Sequence, residues 1–234
     1  MIRVWHSFLG FLCVSLGGTH IILTSRFDTQ TLRLRTWARR LLNWGGIHWD
    51  IEGIEHLENS PPAILVSNHA SSLDIPLLLA AVPRTFRMVA KKELLSVPFI
   101  GWVIRRAGFI PIQRYSREEA LEALKEIRGY IESGVDFYLA AEGTRTRTGD
   151  LLPFKKGPFV LAIELGIPVI PITLHGTFHA LPKGTFLPRS DRTLLVRIHA
   201  PLSTEGMTYD DRDRLRDQAR EVILKDYQDE SRAS

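Results

Sequence analysis

One cysteine in 234 residues leaves no room for an intramolecular disulfide framework or a Cys-rich metal site. That residue, Cys13, sits in the apolar N-terminus. No H-E-x-x-H signature occurs, and His175 and His179 enclose Gly176-Thr177, which suits a strand-end loop better than a metal-binding helix. No metal site is expected. A G-x-S-x-G elbow is missing too, which argues against a serine nucleophile. Internal repeats and low-complexity tracts are absent. Charge of one sign is also scarce: the formal net charge is +4, with Lys and Arg mostly interleaved with Asp and Glu, as in Asp210–Glu221, so no dedicated nucleic-acid surface is expected.

The longest apolar stretch is N-terminal. Val4 to Leu23 is nearly continuous in apolar and small residues, long enough for a hydrocarbon core of ~30 Å. No convincing small-x-small cleavage site lies near Gly17-Gly18-Thr19, so a retained membrane segment is favoured over a cleaved leader. Arginines collect downstream, at Arg26, Arg33, Arg35, Arg39 and Arg40, and the positive-inside bias then puts the main domain on the cytoplasmic face. Leu34, Trp37, Ala38 and Leu41 fall at helical spacing between those arginines. The stretch reads either as a basic amphipathic helix at an anionic lipid interface or as a surface helix packed on the domain. The expected division is residues 1–44, membrane-inserted and interfacial, and residues 45–234, a catalytic domain.

Beyond Gly45-Gly46 the pattern alternates. Strands are expected at Ile47–Ile51, Ala63–Ser67, Arg87–Ala90, Phe109–Ile112, Val135–Ala141, Val169–Leu174 and Leu194–His199. Helices are expected at Ile75–Ala81, Phe99–Arg106, Arg117–Glu132, Phe159–Leu165 and Tyr209–Tyr227. Such alternation predicts an α/β layered domain with a largely parallel central sheet flanked by helices, whose ligands gather at the carboxyl ends of the strands.

Two chemically dense segments follow strands directly. Asn68-His69-Ala70-Ser71-Ser72-Leu73-Asp74 follows Ala63–Ser67 and sets an imidazole five residues from a carboxylate. The pair suits a general base whose tautomer a carboxylate fixes. Ser71 through Asp74 equally fits a capping box, and spacing alone leaves both readings open. Glu142-Gly143-Thr144-Arg145 follows Val135–Ala141 and offers a carboxylate, a glycine, a hydroxyl and a guanidinium. That set suits a phosphomonoester, although a plain polar turn is the commoner meaning of such a stretch. Lys155 and Lys156 precede a proline-led helix start, and Lys91, Lys92, Arg105, Arg106 and Arg114 add cations near other element ends.

Together these segments resemble the bacterial 1-acyl-sn-glycerol-3-phosphate acyltransferases of the glycerolipid acyltransferase family. Asn68-His69 through Asp74 matches NHxxxxD, and Gly108 through Arg114 resembles GxxxIxR. Glu142 through Arg145 matches EGTR, Ile167-Pro168-Val169-Ile170-Pro171 matches VPVIP, and Lys155-Lys156-Gly157 fits the FKxG stretch. Ala141 stands where the family often has proline, and Gln113 where it often has an acidic residue. The resemblance implies transfer of a fatty acyl group from acyl-CoA or acyl-acyl carrier protein, as co-substrate and without a cofactor, to the 2-hydroxyl of lysophosphatidic acid at a phospholipid membrane. His69 would be the base and Asp74 its orienting carboxylate. Arg114, Glu142, Gly143, Thr144 and Arg145 would hold the glycerol phosphate, with Lys91, Lys155 and Lys156 as further anion or donor contacts. Backbone N–H groups near the helix start would be candidates for stabilising the oxyanion. A different acceptor, or a lipid-binding protein without turnover, remains an alternative at this point.

Overall fold

The computed structural model describes residues 27–91, 95–96, 109–112, 117–185, 188–189 and 193–233. The apolar segment from Val4 to Leu23, the helix expected at Phe99–Arg106, and Lys92, Arg105, Arg106 and Arg114 lie outside them.

Among the described residues seven strands make one sheet: β1 (Trp49–Glu52), β2 (Ile64–Ser67), β3 (Phe86–Lys91), β4 (Ile110–Ile112), β5 (Asp136–Ala140), β6 (Val169–His175) and β7 (Leu194–Ile198). Their spatial order is β1-β7-β6-β2-β5-β3-β4. Every neighbouring pair is parallel except β6 with β7. β1 and β7 therefore run opposite to the other five, which bear out the expected largely parallel sheet. Because β2, β5 and β6 are parallel neighbours in register, the residues after Ser67, Ala140 and Leu174 emerge together at one rim.

Helices cover both faces: α1 (Phe27–Trp44), α2 (Glu55–Glu58), α3 (Asp74–Ala81), α4 (Arg117–Glu132), α5 (Gly157–Leu165), α6 (Thr177–Ala180) and α7 (Arg212–Ala233), the last preceded by a 3-10 turn at Tyr209–Asp211. The central strands β2 and β6 are buried along their whole length, as parallel strands covered on both sides must be. Alternation divides their side chains. Leu65, Tyr138, Ile170 and Ile172 pack with Leu42, Leu77 and Leu78 of α1 and α3. Ile64, Val66, Phe137 and Val169 pack with Ile127, Phe159, Leu215, Ala219 and Ile223 of α4, α5 and α7.

The helix that carries Leu34, Trp37 and Ala38 packs on the domain. Ala38 and Leu42 are fully buried, with Leu34 and Trp37 partly buried beside them. Arg39 Nε donates to the Ala80 carbonyl at 3.1 Å, and Arg35 Nη2 to those of Val82 at 2.9 Å and Pro83 at 2.7 Å. Two arginines thereby satisfy the open carbonyls at the end of α3, where the helix dipole also favours cations. Among the described residues no helix is long and apolar enough to cross a membrane.

Candidate active site

At the end of β2 the chain must leave the sheet while β6 continues. Asn68 makes that exit: its Oδ1 accepts the Leu174 N–H at 2.8 Å and its Nδ2 donates to the Leu174 carbonyl at 2.9 Å. The side chain replaces the ladder bonds that a longer β2 would have supplied, so no buried backbone group is orphaned. The backbone of His69 is then free to turn outward over the rim.

His69 Nδ1 lies 2.7 Å from Asp74 Oδ2. The same oxygen accepts the N–H of Ala70 at 2.8 Å and of Ser71 at 2.9 Å. Asp74 is fully buried at the first residue of α3, whereas the His69 side chain keeps 19% of its exposure. The capping box expected with Ser71 as N-cap is not formed: the helix begins at Asp74 with Leu73 as N-cap and no capping side chain, while the Leu73 N–H donates to Ser71 Oγ at 3.1 Å and Asp74 accepts the Ser71 N–H in the turn before it. One carboxylate oxygen thus holds that turn and fixes the imidazole. A carboxylate acceptor on Nδ1 puts the proton there and leaves the lone pair on Nε2.

The turn after β5 grips His69 by its backbone. The His69 N–H donates to Glu142 Oε1 at 2.6 Å, and the His69 carbonyl accepts the Thr146 N–H at 3.0 Å. Glu142 Oε2 accepts the Leu152 N–H at 2.9 Å. Burial pushes the Glu142 carboxyl up to about 7, against these two N–H donors and the nearby His69, which favour the anion. Glu142 is 2% exposed, with both oxygens occupied. Both oxygens are taken by backbone N–H groups, so the contacts of Glu142 are with the backbones of His69 and Leu152.

The remaining members of the turn do face outward. Gly143 takes φ 70°, Thr144 is exposed, and Arg145 Nη1 contacts Ser72 Oγ across the cleft between the two segments. The stem of Lys155 lies over Gly143, with its Cγ 3.4 Å from where a Cβ on that glycine would sit. Lys183 Nζ donates to the Arg145 carbonyl at 3.3 Å. Lys156, the N-cap of α5, pairs its Nζ with Asp213 Oδ2 of α7 at 2.9 Å. Lys91 ends β3 at the same rim of the sheet. The N–H groups of His69, Ala70, Ser71 and Leu73 are all committed to protein acceptors. His175, expected in a plain loop, is buried and hydrogen-bonds Asp226, while His179 is exposed on the one-turn helix α6.

An acyltransferase family model matches residues 48–175, more than half of the chain and both segments that bear His69, Asp74 and Arg145. The chain belongs to the acyltransferase family. It is 36% identical over 154 residues to a chloroplastic 1-acyl-sn-glycerol-3-phosphate acyltransferase of Brassica napus, covering 65% of this chain and 44% of that protein. With the mouse enzyme 1-acyl-sn-glycerol-3-phosphate acyltransferase alpha it shares 34% identity over 182 residues, 76% of this chain and 63% of the relative. The chain thus spans between about two fifths and two thirds of the length of these relatives. Its fold is similar to the crystal structure of PlsC, the 1-acyl-sn-glycerophosphate (LPA) acyltransferase of Thermotoga maritima, with a TM-score of 0.72 and 26% identity over 98% of this chain and 97% of that one.

Sequence reasoning missed the Glu142 clamp, the Asn68 bridge and the contacts of Ser72 and Lys183. The signal for Asn68 was present: a buried amide side chain directly after a fully buried strand has to satisfy something.

Proposed function

We propose that this chain transfers a fatty acyl group from an acyl thioester, acyl-CoA or acyl-acyl carrier protein, to the 2-hydroxyl of 1-acyl-sn-glycerol-3-phosphate, giving phosphatidic acid. The observation that carries the reading is the His69–Asp74 pair at 2.7 Å with the His69 backbone gripped on both sides by the turn that bears Arg145. The printed names of the relatives supply the acceptor.

In this mechanism His69 Nε2 takes the proton of the acceptor hydroxyl as its oxygen attacks the thioester carbonyl carbon. Asp74 stabilises the imidazolium that forms. Collapse of the tetrahedral intermediate breaks the C–S bond, and the imidazolium proton goes to the departing thiolate. No acyl-enzyme is formed. Arg145, Thr144 and Lys155 serve the glycerol phosphate, Arg145 as the fork-shaped donor that suits it. Arg114 is assigned to the same phosphate and Lys91 to the anionic donor by the family resemblance alone. The reading also puts the protein at a phospholipid membrane with its catalytic domain on the cytoplasmic face, held by the apolar segment from Val4 to Leu23.

The deciding experiment measures transfer of labelled acyl groups to lysophosphatidate by wild-type and His69→Ala protein. Turnover in the wild type, with a loss of at least ~100-fold in the variant at unchanged circular dichroism, is the expected result. Wild-type-like turnover by His69→Ala would sink the base assignment. Acyl release independent of acceptor would make the chain a thioesterase instead.

A further inference from the structure

We infer that Tyr227, on the C-terminal helix α7 and outside the residues the family model matches, is a positioning residue for the phosphate-binding turn. The inference rests on the acceptor reading above and assigns that site a part from a remote element.

Tyr227 OH donates to the Gly149 carbonyl at 2.9 Å, 78 residues away in the chain. Gly149 belongs to the turn that carries Arg145. Its N–H donates to Thr146 Oγ1 at 3.2 Å, and the Thr146 N–H donates to the His69 carbonyl at 3.0 Å. A continuous path of hydrogen bonds therefore runs from the C-terminal helix through the turn to the backbone of His69. Phe178 also packs on Gly149: at φ 93° a Cβ there would sit 3.0 Å from the ring. The turn is thus contacted by both Phe178 and Tyr227.

Tyr227 is itself held firmly. Its ring stacks on His175, with centroids 6.2 Å apart and planes inclined by 20°. Its neighbour Asp226 accepts from His175 Nε2 at 2.9 Å, contacts Arg197 Nη1, and lies 3.4 Å from His199 Nε2. Burial pushes the Asp226 carboxyl up, but the hydrogen bonds from His175 and His199 outweigh it and hold the group well below the usual carboxylate range. An anion bonded to groups on β6 and β7 fixes this part of α7 to the sheet, and the hydroxyl beside it sets the height of the turn.

The consequence divides binding from chemistry. His69 has two further restraints, Asp74 and Glu142, that do not pass through Gly149. Arg145 lies within the turn and follows it. Loss of the Tyr227 hydroxyl therefore moves the phosphate donors more than the base.

Tyr227→Phe in the full chain keeps the ring stack and removes that one bond. One lost hydrogen bond of ~0.5–1.5 kcal/mol corresponds to a rise of about 2–10-fold in KM for lysophosphatidate, with kcat and the KM for the acyl thioester unchanged. Faster hydrogen exchange at the Thr146 and Gly149 amides should accompany it. An unchanged KM for lysophosphatidate, or a fall in kcat at constant KM, overturns the inference. If the wild type transfers nothing to lysophosphatidate, the acceptor reading has failed by itself, and the exchange rates then decide: faster at those amides in the variant supports the tether, and identical rates overturn it.

Discussion

Asp74 Oδ2 gathers three donors, the Nδ1 of His69 and the N–H groups of Ala70 and Ser71, within 2.9 Å. Asp74→Asn replaces one acceptor oxygen by an amide that donates, and its neutral carbonyl supports an imidazolium poorly. Two losses are expected together. kcat should fall at least ~100-fold, and unfolding stability by about 1–3 kcal/mol as the buried turn before the helix loosens. Steady-state kinetics and urea unfolding on the same preparation separate them. A lower stability with intact kcat would leave holding the Ala70–Ser71 turn as the residue's whole role.

Glu142→Gln tests the clamp in the same way. Glutamine has one acceptor oxygen for two backbone N–H groups, so either His69 or Leu152 faces an amide donor. A buried donor without an acceptor costs about 1–3 kcal/mol, and displacement of the His69 backbone should lower kcat roughly 10-fold or more. The KM for lysophosphatidate should move little. A raised KM at unchanged kcat would put Glu142 at the acceptor's phosphate.

The fold was legible because its central strands are apolar on both faces. Ile64–Ser67 and Val169–His175 read as continuous hydrophobic runs, and all seven strands were anticipated within a few residues of their ends. Helix α4 has the limits its spacing gave, Arg117–Glu132. The one-turn helices Glu55–Glu58 and Thr177–Ala180 are too short for a period to declare itself. At the rim, spacing found His69 and Asp74 because they are five residues apart. It could not see that Glu142 is covered, that Asn68 bridges to Leu174 at a separation of 106, or that Lys155 and Lys156 part company, because those facts are created by tertiary packing. A carboxylate in sequence has no environment. Burial and the N–H groups of His69 and Leu152 gave Glu142 its role.

The two lysines before α5 should behave differently. Lys155→Ala should raise KM for lysophosphatidate by about 3-fold, as expected for one exposed cation beside a phosphate, and the effect should shrink with salt. Lys156→Ala breaks an exposed, solvent-screened pair with Asp213 and should leave both KM values unchanged. Arg145→Lys should exceed both, with KM up by roughly 10-fold or more, since an ammonium cannot keep contact with Ser72 and present a planar fork to phosphate. Equal effects from Lys155 and Lys156 would mean that the turn is recognised by general charge alone.

Asp136 provides a pH test remote from the rim, at the amino ends of β5 and β2. Its Oδ1 accepts the Ala63 N–H at 2.8 Å and an Arg84 Nη2 at 2.7 Å, while Oδ2 is buried without a hydrogen-bond partner. Burial raises its pKa to about 6, with Arg84 and the Ala63 N–H pulling the other way. An unfolded aspartate ionises near ~3.9, so between those two values the native state binds more protons than the unfolded one. Its contribution to stability is therefore present in full below about pH 4 and is lost as the pH rises to 6, by on the order of 2–3 kcal/mol. Asp136→Asn keeps the oxygen that Ala63 and Arg84 use but cannot ionise. The variant carries a constant penalty for its buried NH2 group and lacks the slope. Urea midpoints of both proteins at pH 4.5 and pH 7 should show the wild type losing ground relative to the variant as the pH rises. A difference between the two that stays constant would mean that Asp136 titrates in the folded chain as it does in the unfolded one, with Arg84 compensating its burial in full.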